Sequence, residues 1–232
     1  MRTLGLGAGT LLALCVAAGC RTGADTPLAA AASRGDLTEI ERLVATGSDI
    51  NSATSGHGFT ALMVAARNGR VKAIQTLMRL GANAEAIDRG SNGWTAIMHA
   101  IHKNQIAAVR ALLDEGADPD HAVDEHKYTP LMMAAGYGYT DIVELLLRTG
   151  ADPRKTTVGG FNALAAAVRG TPDIDRFTMG SCQTTTVRAL LKAAPDLKLP
   201  DNSFGKTARW ASWFGSCAEI EQLLAGGAPQ GR

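Results

Sequence analysis

The chain has 232 residues, room for one medium domain or one solenoid. Its 23 Lys and Arg nearly balance 22 Asp and Glu, which excludes the basic excess of a nucleic-acid-binding protein. With 46% hydrophobic but only 5% aromatic residues, the composition suits small, closely packed helices and excludes a disordered chain.

The first element in chain order is a targeting segment. Met1 and Arg2 give a short positive start, an apolar run follows from Leu4 to Val16, and Ala17-Ala18-Gly19-Cys20 closes it. This order of charge, apolar core and small residues predicts a secretory signal peptide over residues 1–19. The run is too short for a membrane span, which takes about 20 apolar residues. Ala17-Ala18-Gly19-Cys20 resembles the bacterial lipobox, although Leu is commoner where Ala17 stands. The resemblance implies cleavage before Cys20, acylation of that Cys, and a short tether over residues 20–25. Several acyl chains on one residue would anchor firmly, where a single chain binds only marginally. Arg21 in place of Asp implies, in bacteria of the enteric type, sorting to the periplasmic face of the outer membrane. The alternative is an ordinary signal peptide releasing a soluble periplasmic product.

Beyond the tether the chain repeats itself, which is the first property to test in a sequence of this length. Five segments align: Thr26-Pro27-Leu28, Thr60-Ala61-Leu62, Thr95-Ala96-Ile97, Thr129-Pro130-Leu131 and Asn162-Ala163-Leu164, each followed by an Ala-rich run. Their starts are 34, 35, 34 and 33 residues apart, and a degenerate sixth copy begins at Thr207-Ala208. A second marker keeps the same period, an apolar run ending at Gly47, Gly81, Gly116 and Gly150. Gly just past a helix end supplies the left-handed cap without a steric penalty. Ala117-Asp118-Pro119 and Ala151-Asp152-Pro153 then form turns. Apolar residues at Ile106, Val109, Leu112 and Leu113 keep helical spacing. Each unit is therefore predicted as helix, tight turn, helix, Gly cap and extended turn.

Thr-Pro-Leu-x-x-Ala, the mid-repeat Gly35, Gly69 and Gly138, and the closing Gly-Ala-Asp-Pro resemble the ankyrin repeat over residues 26–228. The resemblance implies an all-α ankyrin solenoid of about six helix-turn-helix units, with boundaries near 26–57, 58–92, 93–126, 127–159, 160–204 and 205–229. One departure is the His usual after Thr-Pro-Leu, replaced by Ala29, Met63, Met98, Met132, Ala165 and Trp210. That His ties neighbouring turns in the family, and Met fills space without directing a hydrogen bond, so looser joints are expected.

The fifth unit carries an insertion over residues 170–183, since Asn162 to Val187 spans 25 positions where Thr129 to Val143 spans 14. It is either a functional loop or drift at a tolerant turn. Cys182 and Cys217 are the pair left once Cys15 is removed and Cys20 acylated, and an even pair in an oxidising compartment is a disulfide candidate. Adjacent repeats would set the two turns side by side, and a bridge there would be worth roughly 3–4 kcal/mol. Two free thiols are the alternative.

Ankyrin arrays bind through their extended turns and the inner face of the first helices. By position, the resemblance marks Phe59, Trp94, Tyr128, Phe161 and Lys206 just before the repeat Thr. Arg67, Asn68, His102, Lys103, Tyr137, Arg169 and Phe214 lie before the tight turn, and His57, Asn92, Glu125, His126 and Phe204 at the finger tips. From these the predicted partner-binding set is Phe59, Arg67, Trp94, His102, Lys103, Tyr128, Tyr137, Phe161, Arg169 and Phe204. Aromatic residues and Arg dominate binding hot spots. The alternative for the aromatic row is packing of one finger on the next, and Trp94 is expected to be more structural than His102, Tyr137 or Arg169.

Other chemistry has little support. Phe204-Gly205-Lys206-Thr207 lacks the leading Gly and the preceding strand of a phosphate loop, because Pro200 stands in that place. His99 and His102 share a helix without a third ligand, and His121 and His126 with Asp120, Asp124 and Glu125 could hold only an adventitious cation. No nucleophile, base and acid converge. The expectation is a lipid-anchored adaptor or scaffold for a protein partner in the bacterial periplasm, with no enzyme activity, cofactor, metal, nucleic acid or small-molecule substrate. The alternative is an inhibitor or immunity protein that neutralises a secreted toxin. A role supporting antioxidant enzymes, known for some bacterial members of the family, stays open.

Overall fold

The computed structural model describes residues 26–90, 93–123, 127–170, 182–214 and 217–225. The repeat Thr does the first work. The side chains of Thr26, Thr60, Thr129 and Asn162 accept the N–H of Ala29, Met63, Met132 and Ala165 and so start α1 (Pro27–Arg34), α3 (Ala61–Arg67), α7 (Pro130–Tyr137) and α9 (Ala163–Arg169). Each such cap is worth about 1 kcal/mol. Met63 adds a reciprocal contact, its Sδ accepting the Thr60 N–H at 3.3 Å. In the third unit Thr95 stands at the same place before α5 (Ala96–His102), but its hydroxyl makes no capping bond there and is buried without a partner among the described residues.

A tight turn reverses the chain after the first four of these inner helices. Its left-handed residue is Gly35, Gly69 and Gly138 in three units and Asn104, at φ 54°, in the third. At Gly69 the need is double, since φ is +65° and a Cβ would meet Gln105 Oε1 at 2.5 Å. The outer helices follow: α2 (Leu37–Ala45), α4 (Val71–Arg79), α6 (Ile106–Asp114), α8 (Thr140–Arg148) and α10 (Thr184–Ala193). The pair α11 (Ser203–Phe214) and α12 (Ala218–Leu224) completes the described chain.

The two layers differ in how much they bury. Inner helices are almost wholly enclosed, as in α3, where Ala61 to Ala66 are all buried. Outer helices bury one stripe, such as Ile74 and Leu77 in α4 or Val109 and Leu112 in α6. Inner helix packs on inner helix from α1 through α11, and outer on outer from α2 through α12, so one core runs along the stack. Ala31, Ala65, Ala100 and Ala134, none with measurable exposure, let the inner helices approach closely. Among the described residues no helix is long and apolar enough to cross a membrane.

The joints between units are made by side chains other than the missing His. In each of the first four extended turns an Asx-type bond folds the chain: Asp49 accepts from Asn51 N, Asn83 from Glu85 N, Asp118 from Asp120 N and Asp152 from Arg154 N. The next side chain then reaches the following unit. Asn51 Oδ1 accepts the Asn83 N–H at 2.8 Å, Glu85 Oε1 the Asp118 N–H at 2.9 Å, and Asp120 the Asp152 N–H at 3.1 Å. Arg154 continues the ladder by an ion pair with Asp196 at 2.5 Å.

The sixth unit departs from the expected register. Thr207 does not cap a helix; α11 starts four residues earlier, at Ser203, and the Thr207 hydroxyl donates to the Ser203 carbonyl inside it. Asn202 caps instead, its Oδ1 accepting the Gly205 N–H at 3.2 Å. Gly205 lies so close to Pro200 that a Cβ would sit 1.7 Å from the Pro200 carbonyl. Lys206 therefore belongs to the helix rather than to the row preceding it, and Gly205-Lys206-Thr207 is helical turn, not a loop around a phosphate. The structure links Cys182 to Cys217 by a disulfide, with Cα atoms 5.6 Å apart, across the fifth and sixth units. Insertion residues 171–181 lie outside the described residues, as do Cys20 and the rest of residues 1–25.

Candidate functional site

Each extended turn is a finger whose base fixes one aromatic residue. The N–H groups of Thr54, Asp88, Val123 and Thr157 donate to the carbonyls of Phe59, Trp94, Tyr128 and Phe161 at 2.9, 3.0, 3.0 and 2.8 Å. The Thr54 and Thr157 hydroxyls also accept the Phe59 and Phe161 N–H at 3.0 Å, and Asp88 Oδ1 accepts that of Gly93 at 2.9 Å. The rings are thus set at the foot of α3, α5, α7 and α9.

Eight residues after each ring stands Arg67, His102, Gly136 or Arg169, at the far end of the same helix or one residue short of it. Helical side chains lean back toward the helix start, so a long one returns along the open face to its ring. The Arg67 guanidinium lies 6.0 Å from the Phe59 centroid and that of Arg169 lies 4.9 Å from Phe161. The imidazole of His102 lies 5.1 Å from Trp94. The two Arg–ring contacts contribute about 0.5–1 kcal/mol each where exposed. In the fourth unit Gly136 offers no side chain over Tyr128. Burial pushes the Tyr128 phenol up to about 12, with the charge of Arg169 acting in the opposite direction.

Rings also join one unit to the next. Contacts run from His57 to Phe59, Phe59 to His99, His99 to Trp94, Trp94 to His102, His102 to Tyr137 and Tyr137 to Tyr139, with centroids between 4.6 and 5.8 Å apart. A hydrogen bond of 2.9 Å between His102 Nδ1 and the Tyr137 hydroxyl closes the step between α5 and α7. Ring pairs of this kind add about 0.5–1.5 kcal/mol beyond their buried area.

Of the residues marked from the sequence, Phe59, Arg67, Trp94, His102, Lys103, Tyr128 and Arg169 are half-buried along this trough. Tyr137 and Phe161, each 6% exposed, are not the open contacts expected of them. Tyr137 is held under His102 and against Tyr139, and Phe161 lies beneath Arg169. Trp94, expected to be the more structural ring, keeps more of its surface open than either. His57 is exposed, whereas the side chain of Phe204 and the tips holding Asn92, Glu125 and His126 lie outside the described residues.

One pair escaped the sequence reading. His99 Nε2 meets Asp88 Oδ2 at 2.7 Å, with both side chains at most 1% exposed. His99 Nδ1 is buried without a partner among the described residues, which assigns the proton to Nε2 as donor to the carboxylate. The signal was a His one place after the position where the family's usual His is missing. His99 and His102 are thus engaged separately, one in the core and one in the trough. His121 Nδ1 lies 3.3 Å from Glu85. Among the described residues no three His, Cys, Asp or Glu side chains come together as metal ligands. A cavity of about 440 Å³ at the last two units, lined by Leu197, Leu199, Arg209 and Leu223 among others, lies away from the rings.

Stacked helix pairs with projecting fingers and an open, ring-lined trough define a repeat-solenoid protein of the binding kind. The family model described as ankyrin repeats in three copies matches residues 7–88, 81–157 and 119–201, and the chain belongs to the ankyrin-repeat family. That membership carries a role in protein–protein interaction. A palmitoyltransferase of Lachancea kluyveri is 36% identical over 100 residues, 41% of this chain. The match covers only 12% of that protein's length, so the likeness is at the level of the repeats.

Proposed function

We propose that this array docks a partner protein in its trough while lipid on Cys20 holds it at the periplasmic face of a bacterial outer membrane, as an adaptor or scaffold without an enzymatic step. The observation that carries the docking half is the row of finger-based rings, three of them overlaid by Arg67, His102 and Arg169. Amphipathic rings held rigid in advance bind with little further entropy loss. The anchoring half is supported by sequence, through the apolar run and Ala17-Ala18-Gly19-Cys20.

A photoreactive amino acid at position 102 tests the first half. A protein adduct is expected there and not at position 110, which lies exposed on the outer helix α6. Equal or absent adducts at both positions refute it. For the second half, mass spectrometry of the mature N-terminus is expected to show acylated Cys20, lost in Cys20→Ser. An unmodified Cys20, or a retained residue 1–19 segment, refutes it.

A further inference from the structure

We infer that the partner segment seated in this trough is acidic and extended, with a carboxylate at about every third residue. The inference rests on the docking role above and adds the chemistry of what docks. The ends of the inner helices and their tight turns, residues 33–36, 67–70, 102–105, 136–139 and 169–170, carry Arg34, Arg67, Arg70, Lys103 and Arg169. The same stretches hold one carboxylate, Asp36, which caps α2 by accepting from Glu39 N. The whole chain has a formal charge of only +1, so positive charge is gathered along this rim.

Most arginines of the outer helices are used differently, Arg110 on α6 being the exception among the described residues. Arg42, Arg79, Arg148 and Arg188 each pair with a carboxylate of their own layer, respectively Glu39, Glu41, Glu144 and Glu219. Arg67 and Arg169 have a ring beneath them and no carboxylate partner among the described residues. A guanidinium over a ring presents in-plane donors as a fork that fits a carboxylate. At Arg169 the Nε is buried without a partner among the described residues, which leaves the two terminal nitrogens for that fork. Charge complementarity on such a rim selects the partner and speeds its approach.

Spacing gives the rest. Neighbouring inner helices pack about 8–10 Å apart. An extended chain advances about 3.3 Å per residue, so every third residue meets a new unit. Arg67, the His102–Lys103 pair and Arg169 lie on the second, third and fifth units. In the fourth unit Gly136 stands at the corresponding position and supplies no cation.

The test uses the full chain and labelled 12-residue peptides with Glu at every third position, the same peptide with Lys, and a 12-nucleotide oligothymidylate. Fluorescence anisotropy at low salt is expected to show binding of the Glu peptide over both others. Arg67→Gln with Arg169→Gln should weaken it by roughly tenfold or more, the scale of a lost charged hydrogen bond. Arg110→Gln on α6 should leave it unchanged, and circular dichroism checks that each variant is folded. Equal binding of the Glu and Lys peptides, tighter binding of the oligonucleotide, or an unaffected folded double variant overturns the inference. Adducts at position 102 with a partner whose crosslinked segment lacks carboxylates overturn it too while leaving the docking role intact. The absence of a position-102 adduct strikes the docking role itself.

Discussion

Cutting the His99–Asp88 contact tests the core of the third unit most directly. Asp88→Ala removes a carboxylate that takes His99 Nε2 at 2.7 Å and Gly93 N at 2.9 Å. The Gly93 N–H keeps its bond to the Asp88 backbone carbonyl at 3.1 Å, so the imidazole bears the loss. With Nδ1 already unpartnered and the ring 1% exposed, water cannot replace the contact. Stranding one member of a buried pair costs about 3–5 kcal/mol. The lower end, about 3 kcal/mol, is expected for Asp88→Ala, since a neutral imidazole is cheaper to leave unpaired than an ion. Asp88→Asn keeps the shape and one acceptor and should lose about 1 kcal/mol. His99→Leu removes the donor to Asp88 Oδ2 while Oδ1 keeps the Gly93 N–H, and should cost about as much as Asp88→Ala. Urea unfolding followed by tryptophan emission and circular dichroism measures all three, and coincident transitions would license two-state treatment. Losses below about 1 kcal/mol for both Asp88→Ala and His99→Leu, on the scale of an exposed pair, would refute the reasoning.

Three further outcomes follow from other parts of the stack. Reduction, or Cys182→Ser with Cys217→Ser, should lower stability by roughly 3–4 kcal/mol, as for any loop of 35 residues closed across the last two units. Alkylation of both Cys without reductant, read as a mass shift, would contradict the bridge. Tyr128 has its folded pKa raised from 10.0 to about 12, so its contribution is complete below pH 10 and fades as pH climbs toward 12. Tyr128→Phe should therefore flatten the alkaline loss of stability between those values, and identical pH profiles would count against the burial. Gly205→Ala should open the sixth unit locally, because its Cβ would strike the Pro200 carbonyl. Hydrogen exchange is expected to rise over residues 203–224 and not over 60–170, whereas unchanged protection at the C-terminal end would show that the contact is relaxed.

The period, the inner and outer helices and the row before each repeat Thr were legible in the sequence because they depend on local chemistry. A Thr accepts an N–H three residues on, a left-handed residue follows each of the first four inner helices, and an apolar stripe at helical spacing needs a neighbour. Even the eight-residue step from Phe59 to Arg67 and from Phe161 to Arg169 was present in the spacing. The start of the sixth unit is not legible in the sequence, because Thr207 matches the motif while Asn202, five residues earlier, takes the cap once Pro200 lies against Gly205.

What only the tertiary structure decided was which side of each residue meets its neighbour. Tyr137 and Phe161 carry the right chemistry at the right positions, yet His102 and Arg169 from adjacent or overlying positions cover them. The Asn51, Glu85 and Asp120 ladder and the His99–Asp88 pair likewise depend on distances between chain segments 11 to 33 residues apart. Sequence spacing along one helix fixes angle and rise, but it leaves the separation of stacked surfaces unspecified. The stacked core sets that separation, and with it the choice between a ring that packs and a ring that binds.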